Sequence, residues 1–221
     1  MEEHSLLPAV WLSLRVAVVA TATAMLVAVP LAYVAARRAF VGRAVMETLL
    51  TLPLVLPPTV VGYLIILTLG SRGWLGKYLH EATGYSVLFR FEGAVIAAAV
   101  VALPLIYLPA KAAFASIDRE LEEIARIMGA SRRQTLLHVS LPLASNGILA
   151  GVTLGFARAL GEFGATVMVF GFGPDRETLP ISVYRAYERG ELTRAAPAVI
   201  VLILVSLGLL TAYGRLPGLK R

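Results

Sequence analysis

Charged residues leave long gaps along this chain, and the gaps locate its elements. Residues 16–36, 48–69, 93–110 and 195–214 contain no Asp, Glu, Lys or Arg over 21, 22, 18 and 20 positions. Each is close to the ~20 residues that a helix needs to cross ~30 Å of hydrocarbon. A fifth apolar stretch runs from after Pro142 to about Gly171, interrupted by Arg158 and Glu162. It is long for one span, which predicts a tilted or broken helix. The pattern therefore predicts an all-α integral membrane protein, a single domain over 1–221. Its five transmembrane helices fall at about 12–36, 48–69, 93–110, 143–171 and 195–214, with a large loop at 111–142. The first span differs from a signal peptide. Glu2 and Glu3 stand where lysines belong, the apolar run is too long, and Arg37-Arg38 follows as a stop. It is expected to be a retained helix.

Composition sharpens this reading. Of 221 residues, 58% are hydrophobic and 15% charged, against roughly 45–50% and 25% in soluble proteins. That balance excludes a disordered chain, a coiled coil and a soluble enzyme. The absence of cysteine excludes disulfides, thiolate metal ligands and cysteine nucleophiles. The net charge of +6 raises the question of nucleic acid, but its distribution answers it. With the N-terminus outside, the inner segments 37–47, 111–142 and 215–221 hold eleven Lys and Arg in 50 positions. The outer segments 1–15, 70–92 and 172–194 hold eight in 61. The bias favours N-out, C-in, and the whole excess of charge falls inside, so no nucleic-acid partner is expected. The short tail is expected to carry no further cytoplasmic domain. Neither a tandem nor an inverted repeat is visible.

The inner loop at 111–142 carries the densest local signals. Asp118 is placed to cap a helix whose first turns hold Glu120, Glu122 and Glu123, where the helix dipole favours negative charge. Glu122 and Arg126 are spaced to pair. Gly129 supplies a left-handed residue to end that helix, and Ser131 with Gln134 forms a capping box that starts another. The segment reads either as an exposed linker or as a rigid elbow presented to a partner.

Here the chain resembles a known family. Glu123-Ile124-Ala125, then Gly129, nine residues, then Val139-Ser140-Leu141-Pro142 is similar to the EAA signature of ABC importer permeases. Ile124 and Val139 are the two departures, both mild apolar exchanges. The resemblance implies a type I ABC importer permease fold, whose loop helix docks in a groove of a separate ATPase subunit. It assigns that coupling to Glu123, Ala125, Arg126, Gly129 and Ala130, with Leu141 and Pro142 completing the motif. Arg132 and Arg133 are weaker candidates, since surface arginines are usually only solvated.

Two membrane blocks extend the likeness. Leu52-Pro53-Leu54-Val55-Leu56-Pro57-Pro58-Thr59-Val60-Val61-Gly62-Tyr63 and Arg158-Ala159-Leu160-Gly161-Glu162-Phe163-Gly164-Ala165-Thr166 resemble molybdate/tungstate-type oxyanion permeases. The second block is shared with sulfate-type relatives. Pro57, Pro58 and Thr59 mark either a packing kink or the wall of a path, since freed backbone groups are tolerated only against protein or a wet cavity. Arg158 and Glu162, four apart, form the one ionisable pair inside a span. They act either as a structural clamp or as a functional pair. Gly147, Gly151 and Gly155 form a small-residue stripe for close helix packing, with its partner helix, in this subunit or a second copy, left open. Five helices without a repeat make a poor pore alone, so a homodimer is expected. The outer aromatics Trp74, Tyr78, Tyr85, Tyr184 and Tyr187 read as interface anchors.

No catalytic residues and no metal site are expected. His4, His80 and His138 lie in different segments without ligand spacing. The nearest approach to a phosphate-binding loop, Ser71 to Tyr78 with Gly76-Lys77, has Ser for the first Gly and Tyr for the last Ser/Thr. No cofactor is therefore expected on this chain, and ATP with its magnesium belongs to the partner. By resemblance the chain is the membrane subunit of a prokaryotic cytoplasmic-membrane importer. Its cargo is expected to be molybdate or tungstate, delivered by an extracytoplasmic oxyanion-binding protein. A sulfate/thiosulfate permease is the alternative, and a stand-alone secondary transporter or channel ranks below both.

Overall fold

The computed structural model describes residues 6–173 and 175–215. Glu2, Glu3, His4 and the basic tail at 216–221 lie outside the described residues. Helices follow one another as α1 (Leu7–Arg37), α2 (Arg43–Thr51, extended by a tight turn Leu52–Leu54), α3 (Pro58–Leu69), α4 (Gly76–Thr83) and α5 (Phe91–Ser116). They continue as α6 (Arg119–Ile127), α7 (Arg132–Thr135), α8 (Leu141–Leu160), α9 (Gly164–Phe170), α10 (Leu179–Glu188) and α11 (Leu192–Gly214). A wide turn at Leu136–Ser140 joins α7 to α8 without a break.

The long helices α1 and α5 lie side by side and run the same way. Arg15 sits 5.1 Å over the Phe91 ring at one end, and Arg37 reaches the Ile117 carbonyl at the other. Parallel neighbours need a return crossing between them, and α2–α3 supplies it. Glu47 of α2 meets Lys111 near the end of α5. Val61 and Ile65 of α3 pack with Val101 and Ala97 higher on α5, and Gly70 lies against Leu88. The two helices are bent by 119° at the break, where Pro57 and Pro58 remove backbone donors. Helix α8 then runs back along α5 from the loop end, stops at Gly161, and α9 completes the crossing. Helix α11 descends last, from Ala198 beside Ala9 to Leu202 and Val205 on the central core. The chain thus crosses five times, with the 117–140 loop at the end where α1 and α5 finish.

Two spans differ from the uninterrupted helices that charge gaps suggest. The third continues past Lys111 to Ser116, because Glu47 lies 2.7 Å from the Lys111 amine and neutralises it. The second is bent at its prolines. The fourth is broken between α8 and α9, as its interrupted pattern predicts. At the far end, α4 and α10 are short helices within segments that read as loops. Helix α10 is tied to α1 by Ser13 Oγ, which accepts the Leu179 N–H at 2.7 Å.

Small residues hold the centre together. Ala17, Ala20, Ala24, Ala28, Ala32 and Ala35 of α1 are buried, clustered with Ala94, Ala98, Ala102 and Ala110 of α5. The α8 glycines also approach α5. A β-carbon added at Gly151 would stand 3.0 Å from the Ile106 carbonyl oxygen, and at Gly155 2.6 Å from the Ile106 side chain; at Gly147 it would meet Ala113. The stripe therefore packs within the subunit. In lipid, where burying apolar surface drives little, such close backbone contact is the main attraction between helices. Gly151→Leu is expected to cost about 2 kcal/mol or more, because the obstacle is backbone. Gly208→Leu, facing open space, should change stability by less than about 0.5 kcal/mol. Unfolding in mixed micelles of denaturing and mild detergent measures both.

Candidate functional site

The loop after α5 is shaped by local signals. Asp118 Oδ1 accepts the Glu120 N–H at 3.0 Å and starts α6. Gly129 takes φ +92° and turns the chain. Ser131 Oγ accepts the Gln134 N–H, while Gln134 Oε1 accepts the Ser131 N–H at 2.8 Å, closing the capping box. The loop is an elbow of two helices.

What holds the elbow to the spans lies underneath. Glu122 is buried and does not pair with Arg126, contrary to the expectation from their spacing. Its carboxylate instead meets Arg37 Nη2 at 3.0 Å and accepts a hydrogen bond from Ser140 Oγ at 2.7 Å. Arg37 donates from both terminal nitrogens to the Ile117 carbonyl at 3.2 Å. Arg126 turns its Nε onto the Glu122 backbone carbonyl at 3.0 Å. The ends of α1 and α5, the helix α6 and the start of α8 therefore converge on one ion pair. Both of its side chains are more than nine-tenths buried. Such a pair adds little net stability, but removing one partner leaves a buried charge uncompensated.

With Glu122 inward, α6 divides its exposed surface. At about 100° per residue, Leu121, Ile124 and Met128 fall on one side, and Arg119, Glu123 and Arg126 on the other. Ile127 projects at the tip. Leu121, Ile124, Ile127 and Met128 are exposed, an apolar ridge that water does not favour. Of the residues expected to couple, Glu123, Arg126 and Gly129 are exposed, and Ala125 and Ala130 half-buried. Leu141 packs on the core and Pro142 is exposed. Neither Arg37 nor the ridge was singled out by the spacing of the motif. The arginine stood out in sequence only as a stop after a span.

A second constellation sits where the broken spans meet. A β-carbon on Gly164 would touch Pro58 at 2.9 Å, with Thr59 just beyond, so the start of α3 lies against the start of α9. Arg158 Nη1 lies 2.6 Å from Glu162 Oε2, the carboxyl fully buried and the guanidinium one-third exposed. Glu162 Oε1 accepts the Ala165 N–H at 2.8 Å. The carboxylate thus closes the first turn of α9 while it pairs with α8 across the break. Pro57, Thr59 and Gly161 are exposed at this depth, and Pro58 is half-buried. At the far end, Trp74, Tyr78 and Tyr187 are exposed. Glu188 beside Tyr184 holds that phenol above its ordinary pKa, by accepting its hydrogen bond.

Five crossings, two of them broken at a common depth, and a capped elbow held to the span ends make this a multi-pass membrane protein with a shaped loop at one end. Residues 28–216 match the family described as binding-protein-dependent transport system inner membrane component, and the chain belongs to that family. It is a multi-pass protein of the cytoplasmic membrane. It is 39% identical over 204 residues to the molybdenum transport system permease protein ModB of Haemophilus influenzae, covering 90% of this chain and 89% of the relative. It is 32% identical to the sulfate transport system permease protein CysW of Synechococcus elongatus, covering 93% and 72%. Its fold is similar to that of the MetNI methionine ABC transporter in an inward-facing conformation. That likeness has TM-score 0.72 at 19% identity and covers 95% of this chain and 93% of that one.

The buried ion pair makes a direct prediction. Glu122→Ala is expected to cost about 3 kcal/mol of stability and Arg37→Met a similar amount, since each strands a buried charge. The double variant should lose less than the sum of the two. Unfolding of the four proteins closes the cycle and yields the coupling energy.

Proposed function

We propose that this chain is the membrane-spanning subunit of an ATP-driven importer of molybdate, with tungstate as the nearest second cargo. It works as a homodimer whose loop end faces the cytoplasm, so the N-terminus lies outside and the C-terminus inside. The exposed ridge of α6 supports the coupling role. Its apolar residues need cover, and the buried ion pair beneath them passes any push on the ridge to three spans. A separate ATPase subunit supplies that cover and the push, and ATP and its magnesium belong to that subunit. Glu123, Ala125, Arg126, Gly129 and Ala130 shape the docking elbow. Gly129 sets its corner through a backbone conformation that only glycine adopts without strain.

The identity to ModB along nine-tenths of both chains carries the choice of cargo, set against the lower identity to the sulfate permease. The path runs past the break where Thr59, Gly161 and Arg158 are accessible. Glu162 opposes a dianion, so the path holds its cargo weakly and the pair serves as a clamp on the break. A loaded oxyanion-binding protein meets the far end, at the surface of α4 and α10. Closure of the ATPase subunits swings the spans as rigid bodies.

Reconstitution tests the coupling face. Ile124→Asp/Met128→Asp is expected to weaken ATPase assembly roughly 30-fold or more, the effect of losing an interface hot spot, and to abolish uptake. Intact assembly and uptake would contradict the assignment of the ridge. Competition among molybdate, tungstate and sulfate on the binding protein tests the cargo. Tight sulfate binding without a preference for molybdate favours the sulfate reading instead.

A further inference from the structure

On the opposite side of α6 from its apolar ridge lies a cavity of about 510 Å³, lined by Arg38, Arg119, Arg126, Arg132, Arg133 and Glu123. Arg37 and Tyr33 also line it. Arg37 is committed to Glu122, yet its buried Nε has no hydrogen-bond partner among the described residues. Arg38, Arg119, Arg132 and Arg133 have no carboxylate partner among the described residues. Glu122 is neutralised by Arg37, so among the lining residues Glu123 is the one carboxylate left to balance five guanidinium groups. In a chain with only 15% charged residues, this gathering is conspicuous. Like charges crowded on a concave wall repel one another and concentrate counter-anions. Guanidinium forks match a phosphate group in particular, because two N–H donors meet two of its oxygens at once.

The depth of the cavity is set by α1. Its 31 residues extend about 46 Å at ~1.5 Å per residue, well beyond ~30 Å of hydrocarbon. Its final turn, with Tyr33 as an interfacial aromatic and Arg38 beyond it, therefore reaches the headgroup layer.

We propose that this cavity is a binding site for a phosphate group, held by Arg38, Arg132 and Arg133 with Arg119 and Arg126 on the far wall. The group is the headgroup phosphate of an anionic lipid or free inorganic phosphate. Its place beside the Arg37–Glu122 pair puts an anion next to the junction of α1, α6 and α8, on the side of α6 away from the apolar ridge, with Glu123 and Arg126 shared with the docking elbow. The site does not depend on which cargo the protein carries.

The test uses the full chain in phosphatidylcholine nanodiscs, titrated with short-chain phosphatidylglycerol or with inorganic phosphate at constant ionic strength in chloride. The Arg38→Gln/Arg132→Gln/Arg133→Gln variant is expected to bind phosphatidylglycerol at least about tenfold more weakly. Arg72→Gln/Lys77→Gln, at the other end of the molecule, should bind as the unchanged protein does. Should the triple variant fail to fold, the unchanged protein still decides. Phosphate must displace the lipid where equal ionic strength of chloride does not. Stabilisation by phosphatidylglycerol well above that by phosphate identifies the lipid as the source, and equal stabilisation identifies the free anion. The proposal is overturned if the folded triple variant binds as the unchanged protein does, or if the distant pair of substitutions weakens binding equally. Chloride competing as well as phosphate also overturns it. So does loss of all anion binding once the ATPase subunit is added, because the arginines then belong to that interface.

Discussion

The ion pair between Arg37 and Glu122 is the constraint on which the rest of the arrangement depends. Two charges more than nine-tenths buried at the end of the spans are costly unless each has its partner. The carboxylate is met by Arg37 and Ser140, and the terminal nitrogens of the guanidinium by Glu122 and the Ile117 carbonyl. Each of these groups comes from a different element. Satisfying one charge thus fixes where α1 ends, where α5 ends, how α6 lies and where α8 begins. The exposed ridge on α6 is rigid because the face beneath it cannot move without stranding a charge.

Above this junction the spans are held by closeness rather than by charge. The alanine row of α1 and the glycine row of α8 both pack on α5, and there is no space for larger side chains at Gly151 or Gly155. The intact helices α1 and α5 and the lower part of α8 form one stiff unit from the loop end upward. The breaks at Pro57–Pro58 and at Gly161–Phe163 interrupt the second and fourth crossings at a shared depth. Glu162 secures one break by pairing with Arg158 and capping the first turn of α9. Stiffness at the loop end and discontinuity at mid-depth suit a molecule in which a push below opens a path above.

Much of this was legible in the sequence, and what escaped it did so for physical reasons. Charge gaps located four crossings, because a charge in hydrocarbon is excluded almost regardless of its neighbours, and an apolar stretch interrupted only by Arg158 and Glu162 located the fifth. The loop was legible in detail at Asp118, Gly129, Ser131 and Gln134, since caps and corners are decided within a few residues. Glu122 was misread for the same reason. Local spacing points to Arg126, whereas burial selects Arg37, which is distant in sequence. Lys111 ended the third span early on paper, because its partner Glu47 lies on another helix. The alanine row of α1 is surrounded by residues as apolar as itself, so no polar contrast revealed which face packs inward. Prolines marked the second span as irregular, but neither the 119° bend nor the approach of α9 to Pro58 is readable from them.

If the buried pair transmits motion, then cutting it must separate hydrolysis from transport. The most direct measurement is the ratio of anion imported to ATP hydrolysed, for the Glu122→Ala variant assembled with its ATPase and binding protein in proteoliposomes. Hydrolysis is expected to continue while import falls, so that the ratio collapses. A ratio equal to that of the unchanged protein, with assembly intact, would contradict it.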